Sequence, residues 1–366
     1  MRQALMTLAA AVVLAVSPAA RAQKAGFDPD AMDVGEPVIA HNIAVVPLFT
    51  KKAPPYDEYV VLEEAQTAKS VKVSETKGEE VDKLVVRNRD TDKRPLYLLG
   101  GEVVLGGKQD RMVVNDTVVD PAATKVLEVR CVEQGRWQGA DLTFHSSEAV
   151  AHPDLRKAAL FKGQGDVWNE VARKSGASQV SSATGTYRRV LQDKAVRERI
   201  KSYLDELQSR IPKSEKLIGL AVAINGNLEL VDVFDSPRLY AKLERKLLAS
   251  YVLAALERQP GSVAKARAYE AKARKLGKAH VDTLIRGTGS GSADGSGTPD
   301  DGRAVGIGGL GTRGGGTGEL AAKPATSAQQ PSKPTQAKTG PSKVFFDKGK
   351  AVHGTYFSSE TAKDDE

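Results

Sequence analysis

Five short β-branched runs, each closed by turn residues, fill the first half of the chain and restrict its fold more than any other feature. They read "VIAHNIAVVPLF", "KLVVRNR", "PLYLLGGEVVL", "RMVVNDTVV" and "KVLEVRCVE", between Val38 and Glu133. Val, Ile and Thr suit a pleated, half-buried surface, and no helical repeat separates the runs. Strands following one another at this spacing predict an antiparallel sheet or sandwich.

The second half turns helical. Tyr187, Val190, Leu191, Ile200, Leu204, Leu207 and Ile211 recur at helical spacing, and Pro212 marks a stop. "LIGLAVAINGNLELVDVF" then places two apolar runs around Asn225-Gly226, a strong local signal for a β-hairpin. Ser236 as N-cap and Pro237 at the first helical position open another helix, with Leu239, Leu243, Leu247 and Tyr251 on its inner face. The fold class is therefore α+β: an antiparallel β-rich N-terminal half, then helices and a hairpin, in a single domain with a disordered C-terminal tail.

Composition sets the boundaries. Residues 1–22 have a positive start at Arg2, an apolar run from Leu5 to Val16 and Ala20-Arg21-Ala22 as a cleavage site, which reads as a signal peptide. The run is shorter than the ~20 residues a spanning helix needs, so no transmembrane segment is expected after cleavage. The expected location is periplasmic or secreted. Residues 23–35 form the mature N-terminal segment and 36–285 the domain. From Arg286 the chain is Gly, Ser, Pro and Thr with almost no large apolar residue, so 286–343 reads as a disordered linker. Residues 344–366 form a short C-terminal segment, too short for a core and available to an envelope partner. On this reading, removing everything beyond Arg286 leaves the melting temperature almost unchanged.

One cysteine, Cys131, excludes an internal disulfide and a Cys-based metal site. The five histidines show no metal-ligand spacing, so no metal and no cofactor are expected. The formal charge of +7 is read as a solvated basic face, visible in "AKARAYEAKARKLGKAH", rather than as a nucleic-acid footprint.

The polar chemistry gathers in two stretches. In "GEVVLGGKQDR", Gly100-Gly101 suggests a bulge or close backbone approach, and Gly106-Gly107 can take the positive φ of a turn. Glu102 lies among apolar neighbours and, if charged, needs a partner, with Lys108 and Arg111 the nearest cations. In "KVLEVRCVEQGRW", alternation puts Leu127, Val129, Cys131 and Glu133 on one strand face, with Gln134, Arg136 and Trp137 directly after. If the two stretches meet, Glu102 and Glu133 share one cavity as catalytic acid and base. Lys108, Gln109, Arg111, Gln134, Arg136 and Trp137 then bind a nucleotide-derived or phosphorylated sugar ligand. The competing reading is structural: internal salt bridges and a packed indole. A third stretch, "FKGQGDVWNEVARKSG", leads into a helix capped by Asp166, with Trp168 packing on the sheet.

"GEVVLGGKQDR", "CVEQGRW" and "GQGDVWNEV" together resemble the ARPP domain family, over about residues 38–256. That family is named for its association with ADP-ribosylglycohydrolases and rhodanese-phosphatases. The resemblance implies an accessory domain in NAD- or ADP-ribose-using pathways, without specifying a reaction. Its polar motif positions fall on Glu102, Lys108, Gln109 and Arg111, and on Cys131, Glu133, Gln134, Gly135, Arg136 and Trp137. Asp110 stands where the family's pattern has Asn, which removes two amide donors and adds negative charge. The alternative is a non-enzymatic cell-envelope structural or interaction protein, and whether the chain is an enzyme stays open.

Overall fold

The computed structural model describes residues 26–78, 80–137, 141–287 and 339–359. The signal-peptide reading of 1–22 and nearly all of the linker lie outside these residues. Along the chain come β1 (Met32–Val34), β2 (Val38–Ala40), β3 (Ile43–Thr50), β4 (Val60–Val61), α1 (Leu62–Thr67), β5 (Val71–Glu75) and β6 (Lys83–Asn88). Then follow β7 (Leu96–Leu98), β8 (Glu102–Gly106), β9 (Arg111–Val113), β10 (Thr117–Val119), β11 (Thr124–Cys131) and β12 (Thr143–Val150). Four helices come next, α2 (Pro153–Phe161), α3 (Gln164–Ala177), α4 (Arg188–Gln192) and α5 (Lys194–Arg210). The chain continues through β13 (Leu217–Ile224), β14 (Asn227–Phe234), α6 (Pro237–Ala255), α7 (Val263–Ala273), α8 (Lys278–Gly287), β15 (Thr339–Asp347) and β16 (Lys350–Ser358).

The β-rich first half is antiparallel apart from the short parallel β4–β7 pair, and six of its strands close into a barrel in the order β11-β6-β5-β12-β8-β9. Closure removes the exposed edges that an open sheet would leave. Leu84, Val86, Val104, Val113, Leu127 and Val129 fill the interior. Val103, Leu105, Met112 and Val132, with the opposite alternation, pack outward on α2, α3 and α4. A three-stranded sheet, β10-β7-β4, links the barrel to the rest. Leu96 and Leu98 pack with the barrel interior, whereas Tyr97 and the following Leu99 join the core under α5 and α6.

The second layer is a sheet in the order β1-β3-β13-β14-β16-β15, with β2 on β3. Helices cover both faces: Leu220, Val222 and Leu230 meet α6, while Ala221, Ala223 and Val231 meet α8. Burial on both faces explains the unbroken apolar run of β13. The Asn225-Gly226 turn is present with φ of 52° and 73°. Ser236 caps α6 by accepting from Leu239 N. The helical pattern from Tyr187 to Ile211 divides into two helices, because Asp193 adopts an extended conformation and caps α5.

The C-terminal segment departs from expectation. Rather than lying outside the core, β16 pairs with β14 from Leu230–Phe357 to Phe234–His353. Val352, His353, Thr355, Tyr356 and Phe357 are all buried. A segment too short for its own core has joined one, since β14 supplies a free edge and α8 an apolar face.

Candidate functional site: the barrel mouth

The turn between β8 and β9 is built on glycine. Gly106 has φ +138°, and a Cβ there would lie 2.2 Å from the Thr143 carbonyl; Gly107 has φ +48° and would meet the Phe144 ring. At the other end of β8, Gly101 has φ +99°, and a Cβ would lie 2.7 Å from Arg156 Cγ, so the expected close approach is real.

Asp110, at the tip of this turn, is 1% exposed. Its carboxylate accepts from Gly106 N at 3.2 Å, Thr186 Oγ1 at 2.9 Å, Arg136 at 3.2 Å and Arg188 at 2.5 Å. Glu133 accepts from Asp110 N at 3.0 Å, Thr184 Oγ1 at 2.7 Å and Arg136 Nε at 2.9 Å. Arg136 also donates to the Gly107 carbonyl at 2.7 Å. Burial pushes the Glu133 carboxyl up, but the bonds from Arg136, Thr184 and Asp110 outweigh it and hold the group below its usual range. Glu133 is thus a fixed anion in a clamp joining the β8–β9 turn, the end of β11 and the 182–188 loop. The negative charge of Asp110 is absorbed by two arginines.

Beside the clamp the barrel opens. Arg111 and Cys131 face inward where β9 begins and β11 ends. Arg111 is 1% exposed; it donates to Gln109 Oε1 at 3.2 Å and lies 3.9 Å from Glu75. Gln109 in turn donates to the Gln134 carbonyl at 3.3 Å. The Gln164 side chain accepts from Cys131 N at 2.9 Å and donates to Cys131 O at 2.8 Å, extending the sheet ladder with an amide. Asp166 is not the cap of α3: Gly163 is, and the Asp166 carboxylate accepts from its N–H at 3.3 Å.

Together Gln109, Gln134, Trp137, Gln164, Trp168 and Arg130 line a mouth of about 400 Å³, within the usual span of small-ligand sites. Trp137 is 52% exposed and therefore not a core indole, and Lys108 Nζ lies 5.9 Å from its ring centre. Three buried donors here, Arg111 Nε, Arg130 Nε and Trp168 Nε1, have no acceptor among the described residues. Burial pushes the Cys131 thiol up, which suits a packed side chain rather than a nucleophile.

The structure separates the two proposed catalytic carboxylates. Glu102 opens β8, while the clamp holding Glu133 grips Gly106 at its far end. Four residue steps at ~3.3 Å put those strand ends about 13 Å apart. Nor does Glu102 pair with Lys108 or Arg111. It contacts Lys246 of α6, which also bonds Glu63 at 3.0 Å, and it accepts from Leu99 N at 3.2 Å. Burial pushes the Glu102 carboxyl up to about 7, partly offset by Lys246 and reinforced by Glu63. The expectation of one shared cavity is overturned: each carboxylate found its own cation on a different element. Gln109, Gln134 and Trp137 line the mouth; Lys108 and Arg111 adjoin it; Arg136 belongs to the clamp.

Sequence reasoning missed Arg130, Gln164 and Trp168. The last two stand in the "GQGDVW" stretch already singled out, so a signal existed. Elsewhere among the described residues, His152, Asp154 and Glu170 bring ligand-type atoms within 4.8 Å of one another. His152 is held by Tyr187 Oη at 2.8 Å, Glu170 by Arg173, and Asp154 by Arg258 at 2.9 Å. Two guanidinium groups make that cluster hostile to a cation.

No curated protein and no solved structure matches this chain. A family model does match, over residues 31–308, and it covers all three motif stretches that meet at the mouth. The chain belongs to the ARPP-1 family, the ARG and Rhodanese-Phosphatase-superfamily-associated Protein domain.

Proposed function

We propose that the barrel mouth binds a nucleotide-derived or phosphorylated sugar ligand, and that the protein does so after export, as a periplasmic or secreted domain. The observation carrying this reading is convergence. Residues 108–111, 130–137 and 164–168, separate in sequence, bring two indoles, three side-chain amides and a guanidinium to one opening. Indole faces stack on planar rings, and amides and guanidinium groups bond ribose hydroxyls and phosphate oxygens. The resemblance carried by the motif stretches makes an ADP-ribose-related ligand the first to test. Binding is better supported than hydrolysis by paired carboxylates, because Glu133 is locked to Arg136 and Glu102 lies at the other end of β8.

A second reading, a non-enzymatic envelope structural or interaction protein, is favoured by the clamp, whose charged groups are consumed internally. Intrinsic fluorescence separates the two. The chain has two tryptophans, and both line the mouth, so emission reports on this site alone. Titration with ADP-ribose, NAD, nucleotides and sugar phosphates should give saturable quenching for at least one ligand. Trp137→Ala should abolish that response with the melting temperature unchanged, as its ring is half exposed. Silence from every ligand in both fluorescence and thermal shift selects the structural reading.

A further inference from the structure

A second opening lies between α5, α6 and the irregular end of β12, and meets the clamp only at Arg188. Its volume is about 960 Å³. On α5 the lining residues Arg197, Ile200, Lys201 and Leu204 recur at three- and four-residue steps. On α6 Lys242, Arg245, Lys246, Ala249 and Leu253 do the same, so each helix turns one stripe toward the gap. The third wall comes from Ser147 to Val150, where the β12–β8 register shifts and Glu148 takes φ +59°.

The two stripes are graded. Deep in the gap are Leu105, Val150, Leu204 and Leu253, all buried. At the rim stand Arg197, Lys201, Lys242 and Arg245, all exposed. The lining holds seven basic residues and four carboxylates, Glu63, Glu64, Glu148 and Glu198; two of the seven, Arg188 and Lys246, are already paired with Asp110 and Glu102, so the cationic character of the cleft rests on its rim. Rim pairs such as Lys242–Glu64 at 2.8 Å and Lys194–Glu198 at 3.8 Å are solvent-exposed, the kind that stabilises little and yields readily to a ligand. Among the described residues Arg245 bonds only the neutral Gln208 amide, at 3.2 Å, and Arg197 has no side-chain partner. An apolar floor beneath a cationic rim complements a molecule with an apolar body and an anionic head. Arginine forks at the rim suit a phosphate, which they can grip through paired N–H donors.

We infer that this cleft is a binding site for an amphiphilic phosphate, a phosphate ester on an alkyl or acyl chain, with the chain on Leu105, Leu204 and Leu253 and the phosphate between Arg197 and Arg245. It is independent of the barrel mouth.

Calorimetry with submicellar octyl phosphate, octanol and inorganic phosphate tests it. Octyl phosphate should bind at least ten-fold more tightly than either fragment. Arg197→Glu with Arg245→Glu should weaken it at least ten-fold, with an unchanged circular dichroism spectrum and melting temperature; both side chains are exposed. Arg245→Gln alone should give a smaller loss in the same direction. Trp137→Ala should leave this binding intact, and octyl phosphate should not quench tryptophan emission, so failure here is distinct from failure at the mouth. Equal binding of octanol would make the cleft a plain apolar groove, and equal binding of inorganic phosphate a plain anion patch. Either outcome, or no binding, overturns the proposal, as does binding to anionic phospholipid vesicles without binding to dispersed octyl phosphate.

Discussion

Arg136 shows how one residue type at one position can be read two ways until its neighbours are known. In a solvated rim its removal would cost binding and little stability. In the fold it lies between Glu133 and Asp110, which are 3% and 1% exposed, and it ties down two carbonyls of the β8–β9 turn. Arg136→Ala is therefore expected to destabilise the protein by about 3 kcal/mol, because it strands buried negative charge; urea denaturation measures this. A loss below about 0.5 kcal/mol, typical of neutral surface changes, would mean Arg188 alone satisfies Asp110. Glu102 teaches the same lesson from the other side. A buried carboxylate demanding a cation was legible from its apolar neighbours. Its actual partner, Lys246, is 144 residues away, and no local pattern names it.

Among the elements, the C-terminal hairpin carries the most chemistry. His353 on β16 lies 2.6 Å from Asp116 and 3.2 Å from Asp232, with Arg156 2.7 Å from Asp232 on the other side. Burial alone would lower the His353 imidazole, but the two carboxylates outweigh it and raise it from 6.5 to about 9. A histidine raised in the folded state contributes stability that is complete below its unfolded value and lost as pH climbs through the folded one. Between pH 6.5 and 9 the wild type should lose on the order of 3 kcal/mol from this group. His353→Gln should be less stable at pH 6 and show a flatter decline over that window in thermal melts. An equal slope in both proteins would place the pH dependence elsewhere. Local signals did mark other elements: Ser236-Pro237 opened α6 and Asn225-Gly226 turned the hairpin, since caps and positive-φ turns are written in two or three adjacent residues.

At the scale of the whole molecule, the connection between domain and hairpin decides how the chain can be shortened. A Cβ on Gly287 would lie 2.1 Å from Thr339 Cγ2, so the two described residues that flank segment 288–338 are spatial neighbours. Replacing 288–338 by a short Gly-Ser link should leave the melting temperature unchanged or slightly higher, because a shorter loop closes at lower entropic cost. Stopping the chain at Gly287 should instead lower it by many degrees, since β14 loses β16 along one edge and Asp116 loses His353. Calorimetry of the two variants checks this, and equal melting would show the hairpin to be dispensable. By itself the sequence determined the α+β class, the largely antiparallel first half, the Ser236 cap of α6, the glycine turns and the family, all carried by residues within a few positions of one another. Only the tertiary structure decided that six strands close into a barrel, that Glu102 and Glu133 part company, that Gln164 and Trp168 complete the mouth, and that the last strands finish the central sheet. Those outcomes depend on which distant surfaces meet, and a buried charge or an open strand edge specifies the kind of partner it needs without specifying where along the chain that partner lies.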